Sequence, residues 1–126
     1  MKRKYSLKSR NLFREVYKTG RKIQGRGVQI FVLKHDDYIR NNPKVKIPFN
    51  NEIIQIGITI NKKFGNAIIR NKAKRRIKSI CSELQVKMNF GFYLIIKPEI
   101  KFKYYSYDEQ KEIIEFLFRK CEMVNE

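Results

Sequence analysis

Leu12, Phe13, Val16 and Tyr17 recur at three- and four-residue spacing and the stretch stops at Thr19-Gly20, which predicts a short first helix ended by a glycine. Two runs rich in β-formers follow. Gly27 to Lys34 (GVQIFVLK) reads as one strand. Ile53 to Asn61 (IIQIGITIN) reads as another, with Ile54, Ile56, Ile58 and Ile60 on one face and Gln55, Gly57 and Thr59 on the other. Between them, His35 to Glu52 holds Asp36-Asp37, Asn41-Asn42-Pro43, Pro48 and Asn50-Asn51, turn-forming residues without a period, so residues 35–52 are expected to form a long exposed connection. Phe92 to Ile96 (FYLII) is continuously apolar and halts at Lys97-Pro98, as a buried central strand would. Tyr107 to Val124 carries Ile113, Ile114, Leu117, Phe118 and Cys121 at helical spacing and predicts a last helix that closes the core.

The remaining helix is the unusual one. After Gly65 and a candidate cap at Asn66, the residues Ile69, Ala73, Ile77, Ile80, Cys81 and Leu84 project within an arc of roughly 120 degrees at the helical period, and almost every other position is basic. Lys72, Lys74, Arg75, Lys78 and Asn71 fill the opposite arc, flanked by Arg70 and Arg76. Like charges at i,i+4 repel by some tenths of a kcal/mol per pair, a cost that a bound polyanion removes. A merely solvated face normally mixes signs. The expectation is a single domain over residues 1–126 of the α/β (α+β two-layer) class, ordered helix, strand, strand, basic helix, strand, helix.

Charge sharpens that picture. The chain has 126 residues, 42% hydrophobic, with nine Phe and seven Tyr, enough for a small core. It also has 29 Lys and Arg against 12 Asp and Glu, a net +17, which makes nucleic acid the leading partner. Residues 1–105 hold 26 basic and 6 acidic residues, or +20, whereas residues 106–126 hold 3 and 6, or −3, so the last helix is expected to face away from the polyanion. No apolar run approaches the roughly 18 to 20 residues of a membrane helix, and MKRKYSLKSR lacks the apolar segment of a signal peptide, so the expected location is cytoplasmic, with no membrane and no small-molecule substrate. Cys81 and Cys121 have no partner at metal-ligand spacing and are expected to be buried reduced thiols. His35, beside Asp36 and Asp37, is expected to be solvated rather than a general base.

The string from Lys62 to Arg76, KKFGNAIIRNKAKRR, resembles the signature of the bacterial ribonuclease P protein subunit. The flanks agree with that resemblance: Phe13, Val16, Tyr17 and Gly20 match an F-x-x-V-aromatic pattern ending in Gly, a strand follows, and a second strand runs into K-K-x-G-N-A before the basic helix. Two positions depart from the pattern. Lys72 stands for the second Arg of R-N-R, keeping charge but not a planar bidentate donor, and Asn89-Phe90-Gly91-Phe92 replaces an acidic residue before the last strand.

The resemblance implies a ribosomal-protein-like fold with a left-handed βαβ crossover around the basic helix. It implies a protein cofactor that binds the catalytic RNA of ribonuclease P and the 5′ leader of precursor tRNA, while the RNA subunit carries the active site and holds Mg2+. No catalytic residue and no metal is then expected on the protein. Carried onto this chain, Lys62, Lys63, Asn66, Arg70, Asn71, Lys72, Lys74, Arg75 and Arg76 are the expected docking face for the catalytic RNA, and Phe13, Tyr17 and Phe31 the expected leader site. Core packing is the competing role for those aromatics. On composition alone, a ribosomal or RNA-chaperone protein shares the charge and size. A duplex-DNA reader would need base-reading side chains in a turn-supported helix, and a stand-alone nuclease would need carboxylates in the basic stretch.

Overall fold

The computed structural model describes residues 5–44, 54–89 and 91–123. Helix α1 (Arg10–Thr19) starts where the Ser9 hydroxyl accepts from Leu12 N, and it ends at Gly20, where a Cβ would sit 2.3 Å from the Val16 carbonyl oxygen. Strands β1 (Arg21–Gly25) and β2 (Val28–Lys34) form a hairpin whose two-residue loop needs Gly27 at φ +80. Helix α2 (His35–Asn41) follows directly. Strand β3 (Ile54–Ile58) leads through a 3-10 turn (Lys62–Phe64) into α3 (Ala67–Leu84). Strand β4 (Phe92–Pro98), a 3-10 turn (Ile100–Tyr104) and α4 (Tyr107–Lys120) complete the described chain.

The sheet order is β1-β2-β4-β3. Strand β4 is central, antiparallel to β2 and parallel to β3, so α3 is the crossover joining the two parallel strands. That position accounts for its unbroken apolar run, since both faces are covered. On one face Val28, Ile30, Val32, Ile54, Ile56, Leu94 and Ile96 meet Ile77, Ile80 and Leu84 of α3 and Ile113, Ile114, Leu117 and Phe118 of α4. On the other, Leu33, Tyr93 and Ile95 meet Leu12 and Val16 of α1 and Tyr38 of α2.

The mixed α+β class and the order of the six expected elements hold, with two additions. Strand β1 has one buried apolar residue, Ile23, so no alternation announced it; its backbone is ordered by pairing with β2. The expected long connection begins as a helix, and its remainder at residues 45–52 lies outside the described residues, as does Val124.

His35 corrects the expectation of a solvated triplet. It is buried, its N–H donates to the Gly91 carbonyl at 2.8 Å, and its Nδ1 lies 2.7 Å from the Tyr93 hydroxyl. Burial pushes the Tyr93 phenol up to about 12, so the phenol keeps its proton and can donate to the ring nitrogen. Asp36 and Asp37 remain at the start of α2, where the helix dipole favours them, and Asp37 pairs with Arg40 at 3.2 Å. Both cysteines are free and buried, and burial pushes Cys81 to about 12 and Cys121 to about 11, which leaves inert thiols.

Candidate nucleic-acid interface

The turn before α3 is built from side chains that close on backbone. Asn61 Oδ1 accepts from Lys63 N at 2.9 Å, Phe64 is buried, and Lys103 Nζ donates to the Phe64 carbonyl at 2.9 Å. A Cβ on Gly65 would lie 2.8 Å from Ile69 Cγ2, so glycine lets the chain pass close beneath the helix. Asn66 Oδ1 caps α3 by accepting from Ile69 N at 3.0 Å. Its local role is therefore to start the helix, with its side-chain oxygen already occupied.

Helix α3 divides at Arg76. From Ile77 onward its inner face is core, whereas Ile69, expected on the buried arc, is 40% exposed and Ile68 is 78% exposed. None of its first ten residues is buried, so contact with a partner is open on more than one side. Lys62, Lys63, Asn71, Lys72, Lys74 and Arg75 are exposed; Arg70 and Arg76 are half-buried. Among the described residues, none of the eight Lys and Arg from Lys62 to Lys78 makes an ion pair, and the shielded Arg70 Nε has no acceptor. Arg76 lies 5.7 Å from the centroid of the Tyr107 ring, which holds its guanidinium beside the start of α4. The first turn of α4 therefore borders the basic helix.

The other candidate surface is the sheet face under α1. Register places Lys22, Phe31, Ile95 and Gly57 in one row across the four strands. Tyr17 packs edge-on against Phe31 with centroids 4.7 Å apart, Phe13 lies 6.4 Å from Tyr17, and Lys22 Nζ is 6.0 Å from the Phe31 centroid. Phe13 also seats on Gly57, where a Cβ would come within 2.5 Å of its ring, so Phe13 is partly a packing residue. Tyr17 is 38% exposed and Phe31 is half-buried. The next row is polar: Gln24, Gln29 and Lys97, with both amides donating to Glu99 Oε1 at 3.1 and 3.4 Å. A cavity of about 450 Å3, lined in part by Gln29, Asn61, Lys63 and Lys97, joins this face to the turn before α3. The two sets of expected residues thus belong to surfaces that meet at Lys63.

A family profile described as Ribonuclease P matches residues 1–122. The chain belongs to the ribonuclease P protein family. It is similar to the ribonuclease P protein components of Acholeplasma laidlawii, at 32% identity covering 98% of this chain and 95% of that one, and of Bacillus velezensis, at 31% covering 98% and 94%. Its fold is similar to that of the Staphylococcus aureus RNase P protein, with a TM-score of 0.75 at 21% identity covering 96% and 98% of the two chains. The Thermotoga maritima RNase P protein gives 0.70 at 22%, covering 90% and 96%.

As a ribonuclease P protein component, the chain is a subunit of an RNA-processing endoribonuclease, a ribonucleoprotein whose partners are its RNA subunit and tRNA substrate. Among the described residues there is no group of three or more His, Cys, Asp or Glu that could hold a metal, and no helix long and apolar enough to cross a membrane. Lys22, Gln24, Gln29 and Lys97 were not singled out in the ribonuclease P pattern. Gln29, two residues before Phe31 in an alternating strand, shares its face and was the one legible signal.

Proposed function

We propose that the exposed half of α3 and the turn before it dock the catalytic RNA through Lys62, Lys63, Asn66, Arg70, Asn71, Lys72, Lys74, Arg75 and Arg76. The sheet face bearing Phe13, Tyr17 and Phe31 then holds the 5′ leader of precursor tRNA. One observation carries this reading: seven basic residues from Lys62 to Arg76, two in the turn and five on the half of α3 that buries no side chain, with no ion pair to a carboxylate among the described residues. Such a surface binds phosphates without reading sequence, as suits a protein that serves many precursors. The leader is single-stranded, and Phe13, Tyr17 and Phe31, with Lys22 in the Phe31 row and Gln29 and Lys97 in the next, offer stacking beside charge.

In this reading the RNA subunit holds Mg2+ and carries out hydrolysis in the cytoplasm, and no protein residue is catalytic. The protein's charge offsets repulsion between the two RNAs, so it restores cleavage at low Mg2+. Replacing Tyr17 or Phe31 with Leu tests the leader site. Precursor tRNA should lose about 1 to 3 kcal/mol of binding to the holoenzyme per stacked base, while mature tRNA binding and the melting temperature stay nearly constant. An equal loss for both tRNAs with a lowered melting temperature would assign these rings to the core.

A further inference from the structure

Between the exposed half of α3, the 3-10 turn Ile100–Tyr104 and the first turn of α4 lies a cavity of about 300 Å3, at the small end of the range for ligand sites. Phe64, Ile69 and Ala73 give it apolar walls, and Lys72, Arg76 and Lys103 line it with positive charge; among the described residues no carboxylate lines it. Gln110 completes the lining and is only 3% exposed. Its Nε2 donates to the Phe102 carbonyl at 2.9 Å, which fixes the amide and leaves Oε1 buried with no donor among the described residues. A buried acceptor left unpaired is a costly feature of a finished core. Tyr104, also lining the cavity, is 77% exposed, with Lys103 Nζ 5.4 Å from its ring centroid and itself anchored on the Phe64 carbonyl.

An apolar slot, a flat aromatic at its mouth and cations around it match a single unstacked nucleobase, and Gln110, which completes the lining, keeps an acceptor that the fold leaves unpaired. We propose that this cavity receives one extrahelical base of the catalytic RNA, with an exocyclic amino group donating to Gln110 Oε1, the base plane against Tyr104 and the flanking phosphates against Lys72 and Arg76. The proposal rests on the docking of α3 to that RNA, because Lys72 and Arg76 belong to both surfaces. It adds a base contact to a face otherwise made of phosphate contacts. An amino-bearing base fits the orphan oxygen because its N–H supplies the donor that the fold withholds.

The test uses the reconstituted RNA–protein complex and three variants, Tyr104→Ala, Gln110→Leu and Lys74→Ala. Tyr104→Ala should weaken catalytic-RNA binding roughly 5- to 150-fold, the loss of one stacked base, with an unchanged salt slope because no phosphate contact is lost. With the wild-type protein, removing the amino group of one unpaired nucleotide, by purine riboside, inosine or 2-pyrimidinone riboside substitution, should weaken binding. With Gln110→Leu that same substitution should cost nothing further. If Gln110→Leu fails to fold, the exposed Tyr104→Ala still decides. Unchanged affinity for Tyr104→Ala, or a loss with a shallower salt slope, overturns the base pocket. If Lys74→Ala weakens binding and Tyr104→Ala does not, the pocket alone falls; if neither weakens it, the docking of α3 falls as well. A loss confined to precursor tRNA binding would overturn the assignment to the catalytic RNA.

Discussion

Helices α3 and α4 lie against the same face of the sheet and obey opposite rules. Helix α4 has a Ser106–Glu109 capping box, Asp108 and Glu109 in its first turn, Arg119 and Lys120 in its last, and a Glu115–Arg119 pair at 2.8 Å. The Ser106 backbone N–H holds the Glu109 carboxyl below the usual carboxylate range. All of this complements the helix dipole and supports the helix in isolation. Helix α3 shares only the N-terminal cap. It has no acidic residue in its first turn and no basic one in its last, and it stacks Arg70 over Lys74, Lys72 over Arg76 and Lys74 over Lys78. Each local choice in α4 serves folding, and most in the first half of α3 oppose it; conflicts of that kind collect where a protein binds something.

The largest expected contrast lies within α3 itself. Ile77→Ala removes a fully buried side chain and should cost about 2 to 5 kcal/mol of stability, whereas Ile69→Ala, at an exposed position, should stay within about 0.5 kcal/mol. Chemical denaturation of both variants measures the difference, and equal losses would mean that the front of the helix is packed after all. A smaller effect has opposite signs in two assays. Ala67→Glu puts a carboxylate on the exposed first residue of α3, near the dipole's positive end, and should stabilise the free protein by about 0.3 to 1 kcal/mol. The same change should weaken RNA binding, because it sets a negative charge among the phosphate contacts. Improved stability together with unchanged RNA affinity would separate the basic front of α3 from the binding surface.

The elements with strong periods were legible in the sequence. Strand β4 was read from FYLII, α1 from Leu12, Val16 and Gly20, and the cap of α3 from Asn66. What was missed depends on tertiary partners. Edge strand β1 is Arg-Lys-Ile-Gln-Gly and gains its order from β2 alone. His35 looked solvated beside two aspartates, yet it immediately follows β2 and tucks over Tyr93, 58 residues away in sequence. Ile69 fell on the apolar arc of the wheel, but a wheel carries no information on what packs against each turn of a helix, and Ile69 is left exposed. The string from Lys62 to Arg76 and the aromatics Phe13, Tyr17 and Phe31 stood out through their resemblance to a family pattern. Of the polar row only Gln29 was legible, from its place two residues before Phe31; Gln24 and Lys97 join it through strand register.

The salt dependence of catalytic-RNA binding distinguishes the charge of α3 from that of α4. The triple variant Lys72→Ala, Lys74→Ala, Arg75→Ala removes three cations that make no ion pair among the described residues, and the triple variant Lys111→Ala, Arg119→Ala, Lys120→Ala removes three from α4, of which Lys111 and Arg119 are already paired with Glu83 and Glu115. The α3 variant should flatten the slope of log affinity against log salt by roughly 2 to 3, at about 0.9 per phosphate contact, while the α4 variant keeps the wild-type slope. Equal changes in slope for the two variants, or no change in either, would show that the protein's overall charge, and not the exposed half of α3, holds the RNA.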